Sequence, residues 1–334
     1  MFTSYTLLAF LNQTPDVQNA TKRIFSHGKI WLDTSALLPL FAEQLLEEDH
    51  SRVYQTIFEA CLREEDDLFI TRGVLSEIHH HMQLCLHCLH DIGTWQGNIP
   101  FLLAQYIESG RPTIAFREWL EAFRGDTDPI ADIEIYLKQE HGILVHDLAE
   151  AARSVDESVR HAVDRLWGDA HEFRRGGISK IEPAVVDRLK TNDIEMYLGV
   201  LGLRVQDSAS ELGARAWLLT NDKTAWSIRE TLRKEFPAAD TKSPLLSISF
   251  LINAIAFSPS RASLSRAIEV RLPTILDFEF EEGSSASLIQ IAEDVRKSHD
   301  GLPERLVQRK VRDSLNLARR HNWHQASTDD RNEE

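Results

Sequence analysis

Lys29 to Leu40, KIWLDTSALLPL, is the stretch around which the chain is organised. Ile30, Trp31 and Leu32 form a short apolar run that reads as a buried strand. Asp33 follows at once, and Thr34 and Ser35 can cap a helix that starts near Ala36. A carboxylate at the carboxyl end of a buried parallel strand points into the crevice where α/β proteins bind ligands. Taken alone, Asp33 reads equally well as a helix N-cap.

Three further stretches extend the pattern outward. Asp67 to His80, DLFITRGVLSEIHH, predicts a second strand at Leu68 to Thr71 and then a helix with Glu77 near its start. Thr191 to Arg204, TNDIEMYLGVLGLR, predicts a helix that opens with Asp193 and carries Glu195. Arg215 to Trp226, RAWLLTNDKTAW, predicts another apolar strand ending in Thr220, Asn221 and Asp222, with Asp222 placed as Asp33 is on the first strand. The acids therefore come in a set order: Asp after a strand, Glu on a helix, Asp on a helix, then Thr-x-Asp after a strand.

This ordered set resembles the PIN-domain nucleases, a family of metal-dependent ribonucleases, over four segments from Ile30 to about Ala256. The spacing departs from that of the small PIN toxins, because more than a hundred residues separate Glu77 from Asp193. The resemblance implies a three-layer α/β/α fold with a central parallel sheet. The long gap then reads as a helical insertion at about 92–185. It also implies an endoribonuclease that cleaves RNA with metal-activated water at four carboxylates, Asp33, Glu77, Asp193 and Asp222, holding Mg²⁺ or Mn²⁺.

Hard divalent ions favour carboxylate oxygen and supply both an activated water and charge stabilisation at the leaving oxygen. Asp33, Asp193 and Asp222 are expected as principal ligands, directly or through water, with Glu77 on a bound water or a second ion. Ser35, Thr220 and Asn221 are candidates for orienting the acids or touching a phosphate. Glu195 lies two residues from Asp193 and points away from it on a helix. The competing reading is that these acids cap helices and face solvent, which would leave a non-catalytic PIN-like scaffold that binds a protein or RNA partner.

Composition bounds the alternatives. The 334 residues suffice for a large core in about two domains or one elaborated domain. Hydrophobic content of 43% and charged content of 27% are those of a globular protein. A formal net charge of −15 argues against diffuse polyanion binding over the whole surface, while a local basic strip still suffices to guide a phosphate chain. Cys61, Cys85 and Cys88 suit a reduced cytosol better than a disulfide framework. The apolar start, Tyr5 to Leu11, lacks a charged flank and is too short to span a bilayer. A cytoplasmic protein with no membrane partner is expected.

The remaining organisation follows from breaks and periodicity. Residues 1–28 read as an N-terminal helical arm, 29–257 as the nuclease-like domain, and 258–334 as a mainly helical extension with a possible strand at Ile268 to Leu272. Gly142 to Val145 reads as a buried strand, Asp147 to Trp167 as helix, and Leu245 to Phe257 as an apolar helix. His171 to Pro183, HEFRRGGISKIEP, reads as a loop whose Arg174 and Arg175 would guide RNA. Asp126 and Asp128 read as a turn and a helix cap. In HHHMQLCLHCLH, His79 to His90, the residues His81, Cys85 and Cys88 share a helix face; zinc would accept them, but a helix that packs Cys85 and Cys88 into the core and exposes its histidines is the plainer reading. Arg305, Arg309, Lys310, Arg312, Arg319 and Arg320 make the last helix locally basic, suited to RNA or to an acidic partner, while a solvated face with i, i+4 neighbours among mixed charges is the commoner reading. There is no P-loop and no HExxH. A haloacid-dehalogenase site would need Asp where Ser35 stands.

Overall fold

The computed structural model describes residues 28–46, 52–95, 98–125, 127–175, 183–207, 215–236, 243–256 and 287–329. Five strands, β1 (Lys29–Leu32), β2 (Asp67–Ile70), β3 (Ile143–Val145), β4 (Ala216–Leu219) and β5 (Leu245–Leu246), form one all-parallel sheet in the order β3-β2-β1-β4-β5. The central strand β1 is apolar throughout its buried part because both its faces are covered: Ile30 and Leu32 are fully buried and Trp31 packs against Phe69 with ring centroids 5.2 Å apart.

Helices α1 (Thr34–Ala42) and α2 (Val53–Arg63) lead from β1 to β2. Helices α3 (Arg72–His90), α4 (Phe101–Glu108), α5 (Phe116–Arg124) and α6 (Pro129–His141) lead on to β3. Then α7 (Ala149–Arg153), α8 (Glu157–Arg175) and α9 (Pro183–Gln206) return the chain to β4, and α10 (Lys223–Glu235) joins β4 to β5. Past β5 come α11 (Ile248–Ala256), α12 (Ser287–Ser298) and α13 (Glu304–Asp329). Parallel crossovers are right-handed. The first two connections run one way along the sheet and the later two the other way, which assigns α1–α6 to one face and α7–α10 to the other. The mixed α/β chain with its parallel sheet is consistent with three α/β/α layers. Strand order reverses between β1 and β4, and the carboxyl ends of strands at such a reversal form the ligand crevice of open α/β sheets.

Several expectations need correction. The strand expected at Gly142 to Val145 is present as the edge strand β3, inside the otherwise helical stretch 92–185; the corrections lie elsewhere. Leu245 does not start a helix: Leu245 and Leu246 are buried as β5, and the Ser247 hydroxyl accepts from Phe250 N (3.1 Å) to cap α11. A two-residue strand has too few residues to show a period. His171 lies inside α8 rather than in a loop, and α9 begins at Pro183, so Asp193 sits in its third turn and not at its start. Proline at the first position of α9 is the start signal, its missing N–H being one that a helix leaves unbonded there. The N-terminal arm (apart from Gly28) and the strand expected at Ile268 to Leu272 lie outside the described residues.

The α12–α13 pair docks on the turn after α4. Arg296 donates to Gly110 O and pairs with Glu304 at 2.7 Å, and Thr113 donates to Glu293. Gly110 has φ +80° and lies against the Gln308 backbone, where a Cβ would overlap the carbonyl, so both conformation and packing require glycine. No helix among the described residues is long and apolar enough to cross a membrane.

Candidate functional site

Asp33 is the residue at which β1 ends and α1 begins. Its N–H extends the ladder to Leu219 O at 3.1 Å, and its side chain then turns to cap the helix, Oδ1 accepting from Thr34 N at 2.8 Å. The cap is therefore Asp33 itself, as its N-cap reading allowed, and neither Thr34 nor Ser35. Its other oxygen, Oδ2, accepts from the Ser35 hydroxyl (2.5 Å) and from the Thr220 hydroxyl (2.8 Å). Because Leu32 pairs with Leu219, it is Thr220, not Asp222, that stands level with Asp33 across the strand ends. Asp222 lies two residues farther on and caps α10, accepting from Thr224 N at 2.8 Å.

A small hydroxyl and amide network ties the two strand ends together. Thr220 Oγ1 also accepts from Asp222 N (3.0 Å), and Ser35 Oγ accepts from Asn221 N (2.9 Å). The Asn221 amide donates to Ser35 O (3.1 Å) and to the Tyr54 hydroxyl (3.2 Å). Ser35, Thr220 and Asn221, expected to orient the acids or meet phosphate, are thus engaged in holding Asp33 and each other.

Glu77 approaches from α3. Its Oε2 accepts from Thr34 Oγ1 (2.8 Å) and Asn192 Nδ2 (3.0 Å), while Oε1 has no hydrogen-bond partner among the described residues. Asn192 is buried, and its Oδ1 accepts from the hydroxyl of Thr71, the residue that caps α3 by accepting from Val74 N. The next residue of α9, Asp193, reaches the other way: its Oδ2 is hydrogen-bonded to His171 Nε2 of α8 at 2.8 Å. The triplet Thr-Asn-Asp occurs at 191–193 and again at 220–222, and in both the Asn braces a neighbouring element while the Asp joins the acids.

The charge of Asp222 reaches Asp33, and those of Asp33 and Asp193 reach Glu77, so the four acids, drawn from four separate elements, follow one another as a row of electrostatic neighbours: Asp222, Asp33, Glu77, Asp193. Burial pushes the Asp33 carboxyl above its ordinary range; the Ser35 and Thr220 hydrogen bonds oppose this and the Asp222 charge adds to it. Glu77 is pushed up to about 8, first by burial and then by the charges of Asp33 and Asp193 on either side. Among the described residues, no three His, Cys, Asp or Glu side chains gather as one metal-holding group, so the acids are arranged as successive pairs rather than a cage. The donor set still suits Mg²⁺ or Mn²⁺. These ions take oxygen ligands, and Mg²⁺ keeps several waters and uses one or two carboxylates together with substrate phosphate. The mutual repulsion along the row is what a cation would relieve.

His171 and Asn192 escaped the sequence reading. The loop expected over His171 to Pro183 hides His171, although Trp167 one turn earlier, with its ring centroid 5.8 Å away, marks the same helix face. Asn192 gave no signal beyond its place beside Asp193. Glu195 faces Leu148 and Asp147 instead of the row, its carboxyl raised by burial against a hydrogen bond from Leu148 N. Cys85 and Cys88 are buried in the core, the packing role expected of them, whereas His81, expected to be exposed, is partly buried and accepts from Leu102 N (3.3 Å). Arg174 and Arg175 end α8, but their side chains lie outside the described set. No protein-family model, curated protein or solved structure matches the chain.

Proposed function

We propose that the chain is a PIN-like, metal-dependent endoribonuclease, with Asp33, Glu77, Asp193 and Asp222 as its metal-holding acids. The observation that carries this reading is the row itself. Asp33 and Asp222 follow the ends of the two strands at which strand order reverses, Glu77 and Asp193 come from α3 and α9, neighbouring members act on one another, and burial and like charge raise two of them. Bound divalent ions would supply an activated water and offset charge on the leaving oxygen.

The chain's own residues prepare these acids. Ser35 and Thr220 hold Asp33 by one oxygen, Thr34 and Asn192 hold Glu77 by one oxygen, and His171 holds Asp193 by one oxygen. Fixed in this way, the acids need no reordering when a cation and a phosphate arrive. Arg174 and Arg175, at the end of the helix that carries His171, are proposed to guide the RNA backbone. Protein partners are proposed for the 92–185 stretch or α13.

The pairwise arrangement and the capping roles of Asp33 and Asp222 favour a second reading, the non-catalytic scaffold. Cleavage of a mixed RNA panel by wild type, Asp33→Asn and Asp193→Asn, in Mg²⁺, in Mn²⁺ and in chelator, separates the two. The nuclease reading expects metal-dependent cleavage lost in both variants. Absence of cleavage by wild type with any divalent ion supports the scaffold.

A further inference from the structure

Asn192 is where α9 meets α3. It lies against Gly73 and donates to Glu77 at 3.0 Å, two residues four positions apart on one side of α3. Positions three or four apart on a helix share a side. Arg188 precedes Asn192 by four positions, so it continues the side of α9 that faces α3, about 6 Å farther along the helix. His80 follows Glu77 by three positions and continues the side of α3 that faces α9. Burial, then the charges of Arg188 and His87, hold the His80 ring below its ordinary pKa, in keeping with α9 running back along α3. His80 is partly buried, whereas Arg188 is exposed to solvent.

Arg188 differs from the cations around it. Lys190, two positions on, pairs with Asp164 at 3.1 Å, and Arg165 of α8 pairs with Glu235 at 2.9 Å. Arg188 makes neither a hydrogen bond nor an ion pair among the described residues. Its guanidinium is therefore both accessible and unclaimed, one helical turn from the amide that holds Glu77. A phosphodiester strand that approaches the row meets the charges of its acids. Bound ions would offset them at the scissile phosphate, but the neighbouring phosphate needs a cation of its own. A guanidinium offers it two parallel N–H groups.

We propose that Arg188 is a substrate-binding residue: its guanidinium takes the backbone phosphate next to the scissile one in an RNA strand lying across α3 and α9. This role rests on the nuclease reading and deepens it. Contacts of this kind set where the strand lies and carry no base information, so the substrate is held by its backbone and not by its sequence at this point.

The full chain is titrated by fluorescence anisotropy with single-stranded RNA of mixed sequence, in chelator and at several salt concentrations. Cleavage of the same RNA is then followed in Mg²⁺ and in Mn²⁺. The proteins are wild type, Arg188→Ala, Arg188→Lys and Lys138→Ala. Lys138 is exposed near the end of α6, just ahead of β3 and so at the opposite edge of the sheet from the acids; its loss controls for net charge. Arg188→Ala is expected to weaken binding about tenfold, the loss of one charge-assisted contact. Its log–log salt slope should be shallower by about 0.7, one phosphate on a single strand. KM should rise by about the same factor, with kcat changed by less than about threefold. Arg188→Lys should keep the slope and most of the affinity, and Lys138→Ala should match wild type. All four should melt together, because Arg188 is exposed and unpaired. Cleavage by wild type with an unchanged slope in Arg188→Ala overturns the role of Arg188 and leaves the nuclease reading standing. An equal loss of affinity in Lys138→Ala does the same, since net charge alone would then account for it. RNA that wild type binds but does not cleave ends the nuclease reading and, with it, the place next to a scissile phosphate. Wild type that binds no RNA overturns both.

Discussion

Asn192 occupies the space that a side chain at Gly73 would need: a Cβ on Gly73 would overlap Asn192 Oδ1. From there the Asn192 amide reaches Glu77 and its oxygen takes the Thr71 hydroxyl. One buried amide thus joins the start of α3, the acid one turn later, and α9. In most helices Gly to Ala gains up to about 1 kcal/mol. Here Gly73→Ala should instead cost about 1–3 kcal/mol, because the clash displaces Asn192. Adding Asn192→Ala should restore most of the stability without restoring cleavage, since Glu77 remains unheld. Denaturant melts with RNA-cleavage rates on the three variants check this; full activity in the stable double variant would show that Asn192 does not position Glu77.

Asp33 is expected to be a burden on the metal-free fold. Its carboxyl is raised by burial and by Asp222, and an Asn would keep the bond from Thr34 N while the Ser35 and Thr220 hydroxyls turn to accept. In chelator Asp33→Asn should melt at or above wild type. In millimolar Mg²⁺ or Mn²⁺ it should lose most of the rise seen in wild type, along with cleavage. A variant far less stable in chelator would mark Asp33 as a structural cap, and equal rises in both proteins would place the ion elsewhere.

Asp66 predicts an unusual pH dependence away from the site. It is buried and accepts from Gly28 N at 2.8 Å, and burial, then Glu64 and Asp67 against that hydrogen bond, push its carboxyl up to about 7 from an ordinary 3.8. Between these values the folded chain holds a proton that the unfolded chain has released, so this contribution is full below about pH 4 and is lost as pH rises through about 7. Asp66→Asn keeps the acceptor and removes the charge. It should flatten that part of the stability profile and exceed wild type at pH 8, by on the order of 2–4 kcal/mol. Parallel profiles for the two proteins between pH 4 and 8 would refute the assignment.

Close packing of α7 on α9 rests on Gly202, where a Cβ would overlap Ala151 O. Gly202→Ala should lower stability by about 1–3 kcal/mol despite its better helix propensity. Cleavage per folded molecule should be unchanged, because the contact lies on the far part of α9 from Asp193. A melt equal to wild type would mean the helices separate freely.

Neutralising Arg174 and Arg175 together should weaken RNA binding in chelator and make its salt dependence shallower by about 1.4 in log–log slope, two phosphate contacts on a single strand. Fluorescence anisotropy at several salt concentrations measures the slope; an unchanged value would remove these residues from the RNA path.

The amino-acid sequence by itself determined the local devices. The short apolar runs at Ile30, Leu68 and Trp217 read as buried strands and are strands, and the polar residues that follow each run end it and open a helix. It also placed Asp33, Glu77, Asp193 and Asp222 on identifiable elements, because strand ends and helix faces follow from periodicity within ten or twenty residues. What the tertiary structure alone decided was adjacency. Strand register put Thr220, rather than Asp222, level with Asp33. The reversal of strand order brought α9 against α3, so that Asn192 meets Glu77 across 115 positions of sequence. His171 partners Asp193 only because α8 runs on to Arg175 and lies beside α9. Such contacts depend on how whole elements pack, and a side chain's own neighbours in sequence carry no record of which distant element will lie beside it.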